Sequence, residues 1–232
     1  MTTIKGVLFD FSGTLLRIES PESWLRGALT TTGTAMDDAE IARRAAELER
    51  AGALPGGREP AGLPAGLAGQ WEVRDRDARL HRAVYTGLAR QVPLPRPELY
   101  DALYDRHKTA EAWLPYPDAA EVLTELHRRG IRTGVLSNIG WDLRPVLRAH
   151  GLDRHLDCCV LSYEQGLQKP DPRLFAVACR ELGLAPSSVL MVGDDRRKDG
   201  GATALGCAFL PVDPLPTDRR PDGLRPVLDL VG

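Results

Sequence analysis

Several carboxylates, two hydroxyls and a lysine are spaced so that folding could bring them together. Asp10 ends a short apolar run, Ile4 to Phe9, and is followed by Phe11, Ser12, Gly13 and Thr14. Such a run, rich in β-branched and aromatic residues, predicts a buried strand, and the small residues after it let backbone approach a ligand closely. A carboxylate at that point suits a nucleophile or a metal ligand. Ser137 and Asn138 follow a second apolar run, Lys169 lies in Gln168-Lys169-Pro170-Asp171, and Asp194, Asp195 and Asp199 follow a third run. In an open parallel sheet the carboxyl ends of the strands share one edge, so these groups would converge there. Singly, each has an ordinary explanation: Asp after a strand is commonly a turn residue, and a loop lysine is commonly a solvated charge. Coincidence explains the whole set far less well.

The elements that must position them alternate. Ile4 to Phe9 is a strand, and from Pro117 onward helices and strands take turns. Helix 118–129 stops at Gly130, strand 131–136 ends on Ser137, helix 141–149 stops at Gly151, and strand 158–161 follows. Pro172 starts a helix that stops at Gly183, strand 189–192 ends on Gly193-Asp194, helix 200–205 follows, and the last strand is 207–212. This alternation predicts βαβ units and a parallel sheet. Between the first strand and Pro117 the pattern is helical instead. Ser20-Pro21 opens a helix carrying Trp24, Leu25, Ala28 and Leu29, and Asp37 or Asp38 caps a second that ends near Gly52. Residues 52–69 are a Gly/Pro/Ala-rich loop, a third helix is expected over 73–91, and a fourth over 98–108. The expectation is an α/β fold: a Rossmann-like core of residues 1–16 and 112–232, with an all-helical domain of residues 17–111 inserted in it. The last 18 residues, rich in Pro and charge, read as a loosely packed tail.

A chain of 232 residues can bury one full core plus a smaller lobe. Its 43% hydrophobic and 27% charged residues are ordinary for a globular protein, and a net charge of −2 gives no reason to expect a nucleic-acid or membrane partner. Cys158, Cys159, Cys179 and Cys207 lack CxxC spacing and read as free thiols in a reducing compartment. No apolar run approaches membrane-spanning length and no leader pattern opens the chain, so a cytoplasmic location is expected. Oligomeric state is not legible.

The stretches DFSGTL (10–15), LSN (136–138), KPDPRLF (169–175) and VGDDRRKDGGATALG (192–206) together resemble the haloacid dehalogenase-like hydrolase superfamily. The match covers nearly the whole chain, and the helical insert lies where that superfamily places its mobile cap. The resemblance implies that Asp10 is a nucleophile forming an aspartyl-phosphate on a small phosphorylated substrate. It implies Mg²⁺ held by Asp10, the backbone carbonyl of Ser12 and Asp194, with Asp199 acting directly or through water. Gly13, Thr14, Ser137 and the backbone of Asn138 would hold the substrate's phosphate, and Lys169 would neutralise charge between nucleophile and phosphoryl group.

Ser12 departs from the pattern. Phosphatases of the superfamily carry there a second Asp, which protonates the leaving group and then activates water. A serine hydroxyl does this poorly at neutral pH, and such work is typically worth about 10²–10⁴-fold in rate. His81, on the third predicted helix, is the candidate substitute. Arg43, Arg44 and Arg58 could meet an anionic substrate, although a solvated helix face explains the first two more simply. Two alternatives stay open: a 2-haloacid dehalogenase-type hydrolase in which Asp10 attacks carbon, and a non-catalytic phosphate-binding protein on the same fold. A phosphonate-cleaving enzyme of this superfamily needs a lysine in its cap. None occurs between Lys5 and Lys108, which argues against that chemistry.

Overall fold

The structure is a computed structural model and describes residues 3–231. Five parallel strands form its sheet: β1 (Gly6–Phe9), β4 (Arg132–Ser137), β5 (Cys158–Leu161), β6 (Val189–Gly193) and β7 (Ala208–Pro211), in the order β5-β4-β1-β6-β7. Central strand β1 is buried throughout, as expected of a strand covered on both faces. Phe9 pairs in register with Val135 of β4 and Val192 of β6. That register sets Asp10, Ser137 and Asp194 side by side at one edge. Helices α6 (Ala119–Arg128), α7 (Arg144–Ala149), α8 (Ser162–Gln165) and α9 (Pro172–Glu181) connect the strands. Apolar positions at helical spacing on α6 and α9, such as Val122, Leu126, Leu174 and Ala178, are buried.

The helical segment leaves and rejoins the sheet through one narrow ribbon. Strand β2 (Leu16–Ile18) pairs antiparallel with β3 (Trp113–Pro115), Leu16 facing Pro115 and Ile18 facing Trp113. Between them lie α1 (Pro21–Thr32), α2 (Asp38–Arg50), α3 (Ala68–Trp71), α4 (Ala78–Ala89) and α5 (Glu98–Arg106). Ser20 caps α1 by accepting the Ser23 N–H, and Asp37 caps α2 by accepting the Glu40 N–H. Trp24 seals α1 against α5, its indole N–H donating to the Leu103 carbonyl at 2.8 Å.

Three expectations need correction. The third helix starts at Ala78, not near 73, because Asp77 caps it by accepting from the N–H groups of Arg79 and Leu80. Residues Arg74–Arg76 form a separate 3₁₀ turn ahead of that cap. Helix 141–149 is also shorter and begins at Arg144, which frees Ile139 and Trp141 to face the sheet edge. The tail is packed rather than loose. Leu224 and Val227 are fully buried, a short α10 (Val227–Leu230) lies against α6, and Asp118 accepts the Leu224 N–H at 2.6 Å. The spacing of Leu224, Val227, Leu228 and Val231 is that of an apolar face over two helical turns, hidden among prolines and charges.

Candidate active site

β1 delivers Asp10 to the sheet edge, where its N–H is fixed by the Val192 carbonyl at 2.9 Å. Lys169 reaches it from the loop before α9. Its Nζ donates to Asp10 Oδ1 at 2.7 Å, to Asp199 Oδ1 at 2.6 Å and to the Leu136 carbonyl at 3.0 Å, which uses all three protons of the ammonium. Burial alone would lower the Lys169 pKa, but Asp10 and Asp199 outweigh it and hold the pKa above its ordinary value. Asn138 positions this lysine: its side chain accepts the Lys169 N–H at 2.7 Å and donates to the Lys169 carbonyl at 3.0 Å.

Asp194 sits beside this pair with no side-chain hydrogen bond or ion pair to its carboxylate among the described residues. Burial, and then the charges of Asp10 and Asp199, push its pKa up to about 7. Burial pushes Asp199 up to about 6, against the pull of Lys169 and with the repulsion of Asp10. Each of the three aspartates offers an oxygen within 4.8 Å of the others. Both oxygens of Asp199 are engaged, by Lys169 and by the Asp195 N–H at 3.0 Å, so Asp194 and the second oxygen of Asp10 are the free donors. Three close carboxylates against one ammonium leave excess negative charge on hard oxygen donors. That donor set fits a hard divalent cation. Gly13 is required beside it: its φ is +78°, and a Cβ there would meet Asp194 Oδ2 at 2.5 Å.

A cavity of ≈ 170 Å³ opens over this edge. Asp10, Ser12, Ser137, Asn138, Lys169, Asp194 and Asp199 line its floor. Gly13 and Thr14, expected at the substrate, do not line it. The Gly13 N–H goes to the Leu16 carbonyl, Thr14 is fully buried, and Arg220 of the tail binds both of their carbonyls. Arg43 and Arg44 pair with Glu40 and Glu47 on α2 and also lie elsewhere, whereas Arg58 reaches the cavity.

The opposite wall comes from the helical segment. His81 is there, but burial lowers its pKa to about 3, and its Nδ1 lies 2.8 Å from the Tyr104 hydroxyl. It is a neutral imidazole at physiological pH. A Cβ on Gly140 would overlap His81, so the glycine lets this wall come down onto the loop after β4. Trp71, Arg74, Asp75 and Tyr85 complete the wall, with Phe11, Trp113 and Trp141 beside them. Arg74 stacks 3.5 Å over the Trp71 ring and donates to the Trp71 carbonyl at 2.6 Å. None of these wall residues except His81 stands out in the sequence. The readable signal is Asp77, whose capping type three residues before Leu80 would have separated Arg74 and Asp75 from the helix face.

An aspartate at the end of a central parallel strand, bonded to a buried lysine beside two further aspartates, is an arrangement suited to hydrolytic chemistry. A family model described as haloacid dehalogenase-like hydrolase matches residues 4–204, and the chain belongs to that family. The chain is 40% identical over 113 residues to (S)-2-haloacid dehalogenase 4A of Burkholderia cepacia, covering 48% of this chain and 47% of that one. It is 41% identical over 113 residues to phosphoserine phosphatase of Thermus thermophilus, covering 48% and 42%. The chain thus spans about half the length of the curated relatives it matches. A solved structure described as a dehalogenase with intermediate complex superposes with a TM-score of 0.69 at 24% identity, over 100% of this chain and 98% of that one, a likeness of fold.

Proposed function

We propose that this chain is a divalent-metal-dependent hydrolase of a small phosphorylated metabolite. In this reading Asp10 is the nucleophile, and the helical segment of residues 17–111 is a cap over the core of residues 1–16 and 112–232. The observation that carries it is Asp194, a half-buried carboxylate without a side-chain partner that crowds Asp10 and Asp199. A cation relieves that repulsion, and attack on carbon requires none. Mg²⁺ held by Asp10, Asp194 and the Ser12 carbonyl would neutralise the phosphoryl group and polarise its oxygens.

The chain's own groups do the rest. Lys169 binds Asp10 and so orients its carboxylate for attack on phosphorus in line with the departing oxygen. Ser137 and the backbone N–H of Asn138 line the floor where phosphoryl oxygens would sit. Asp199 holds Lys169 in place and would help to hold the cation, directly or through water. The cavity's volume of ≈ 170 Å³ suits a substrate of a few carbons. Free cysteines at all four positions suit a reducing, cytoplasmic setting, and the weak net charge suits a small-molecule partner. Among the described residues no helix is long and apolar enough to cross a membrane.

Ser12 favours a second reading, release of halide from a 2-haloacid, because halide leaves without a proton. One panel separates the two: 4-nitrophenyl phosphate, simple alkyl phosphates and 2-chloropropionate, each with Mg²⁺ and with chelator. Phosphate release that needs Mg²⁺ is the expected result. Halide release that persists in chelator would move the assignment to carbon chemistry. Mg²⁺ binding with turnover of neither class would leave a phosphate-binding protein.

A further inference from the structure

With Ser12 in place of an acid, the sheet edge has no carboxyl group outside the Asp10, Asp194 and Asp199 cluster at that point, and the wall above it holds one that accepts no direct hydrogen bond. Asp75 lies in the 3₁₀ turn ahead of α4, its side chain 7% exposed, and lines the same cavity as Asp10, Ser12 and Lys169. Neither of its oxygens accepts a hydrogen bond from any described residue. The basic groups within 4.0 Å are Arg74 Nη2 at 3.8 Å and His81 Nε2 at 3.7 Å, both too distant for a direct bond. Buried polar atoms are nearly always partnered, so a carboxyl group left open toward a cavity marks a place for a ligand atom. The turn is held firmly: the Asp75 carbonyl accepts from Ser162 Oγ at 2.5 Å, and Arg74 is clamped by Trp71 and by the Tyr85 hydroxyl.

The other titratable groups of the cavity are committed or mismatched. Asp195 accepts the N–H groups of Arg197 and Lys198 and pairs with the Lys198 ammonium at 3.0 Å. Glu59 is 70% exposed, and His81 is a neutral imidazole turned to Tyr104. Asp194 and Asp199 belong to the carboxylate cluster. We infer that Asp75 is the general acid–base group of this site, reaching the leaving-group oxygen from the helical side in place of the carboxylate that position 12 lacks. Burial raises its pKa, opposed by Arg74 and more weakly by Lys198 and Lys169, while His81, Tyr85 and Tyr104 also face it.

The inference rests on the phosphohydrolase reading and balances as follows. Asp10 Oδ bonds to phosphorus, the ester P–O bond breaks, and the Asp75 proton passes to the departing oxygen, which leaves as an alcohol. The Asp75 carboxylate then takes a proton from water as the water oxygen bonds to phosphorus. The P–O bond to Asp10 breaks, inorganic phosphate departs, and both aspartates return to their starting states.

The test compares wild type, Asp75→Asn and the double variant Asp75→Asn/Ser12→Asp, all with Mg²⁺, on glycerol 2-phosphate and 4-nitrophenyl phosphate. Asp75→Asn should lower alkyl ester turnover by about 10²-fold. Nitrophenolate needs no proton to leave, so the same variant should release a burst near one equivalent and then turn over slowly, its aspartyl-phosphate lacking a base. Ser12→Asp in that background should recover at least tenfold on the alkyl ester. Alkyl turnover within threefold of wild type would overturn the inference. So would loss of the burst with Mg²⁺ affinity intact, because that is the signature of a structural role. A wild type inactive on both esters would refute the phosphohydrolase reading itself and this inference with it.

Discussion

The two faces of the cavity handle buried polarity in opposite ways. On the sheet edge the groups around Lys169 are tied down, and Asp194 and one oxygen of Asp10 stay free. Lys169 makes three bonds, Asp199 uses both oxygens, and Asn138 grips the lysine backbone twice. On the helical wall the Asp75 carboxylate accepts nothing, and behind it His107, packed against His81, is fully buried with neither ring nitrogen bonded. A satisfied network is preorganised and keeps its geometry without a ligand. An unsatisfied one is complete only when something lies against it. In the proposed mechanism the sheet edge supplies the nucleophile and the wall supplies the proton. Direct hydrogen bonds between the two are sparse, among them Ser162 to the Asp75 carbonyl and Gln168 to the Glu72 carbonyl at 2.7 Å. That sparseness suits a wall that opens and closes.

The largest effects should come from breaking the satisfied side. Asp10→Asn removes the nucleophile and should lower turnover on the order of 10⁴-fold or more. Lys169 keeps Asp199 and the Leu136 carbonyl, so circular dichroism and melting should change little. Lys169→Met is the complementary break. It leaves Asp10 and Asp199 buried and uncompensated, and should cost about 3–5 kcal/mol in denaturant melts without metal. Added Mg²⁺ should recover part of that loss. Equal melts for the two variants would mean that the network contributes little to stability.

Asp194→Asn should act more narrowly, on metal affinity, weakening Mg²⁺ binding by about ten- to a hundredfold in calorimetry. Because the Asp194 pKa is raised to about 7, metal binding at pH 6 must displace a proton from it. Wild-type affinity should therefore fall as pH drops below 7, and the Asn variant should lose much of that dependence. In metal-free protein the sign reverses. A raised carboxyl pKa favours the folded state below about 4, and that contribution fades as pH rises to about 7. Metal-free wild type should lose stability over that window relative to Asp194→Asn.

The difference between the faces also explains what the sequence made legible. Strands β1, β4, β5 and β6 were readable because each is an apolar run ending in a turn signal, and strand order alone then gathers Asp10, Ser137 and Asp194. Position on the sheet edge is a backbone property, written locally. The wall is not. Arg74 and Asp75 fall at the start of the expected 73–91 helix and belong to no motif, and Trp71, Tyr85 and α8 pack over them. The Arg220 clamp on the Gly13 and Thr14 carbonyls was equally hidden, since more than 200 residues separate the partners. His81 was readable as a titratable residue in the right region. Its neutrality was not, because that follows from complete burial.

His81 gives the mildest change in turnover and the sharpest contrast with Asp75. His81→Phe keeps an aromatic ring between Tyr85 and Tyr104 and removes the hydrogen bond to the Tyr104 hydroxyl. At pH 7 it should cost about 0.5–1.5 kcal/mol of stability and leave alkyl ester turnover within about fivefold. The rate profile between pH 6 and 8 should keep its shape, because an imidazole with its pKa at about 3 does not change its charge there. Stability in acid should respond instead. A folded pKa below the ordinary histidine value of about 6.5 stabilises the protein above that pH, and the contribution is lost as pH falls toward 3. Wild type should weaken over that window by up to about 1.4 kcal/mol per pH unit from this group, and His81→Phe should flatten the slope. A basic limb in the rate profile that disappears in His81→Phe and survives in Asp75→Asn would reverse the roles of the two residues. The proton donor would then be the imidazole, and Asp75 its anchor.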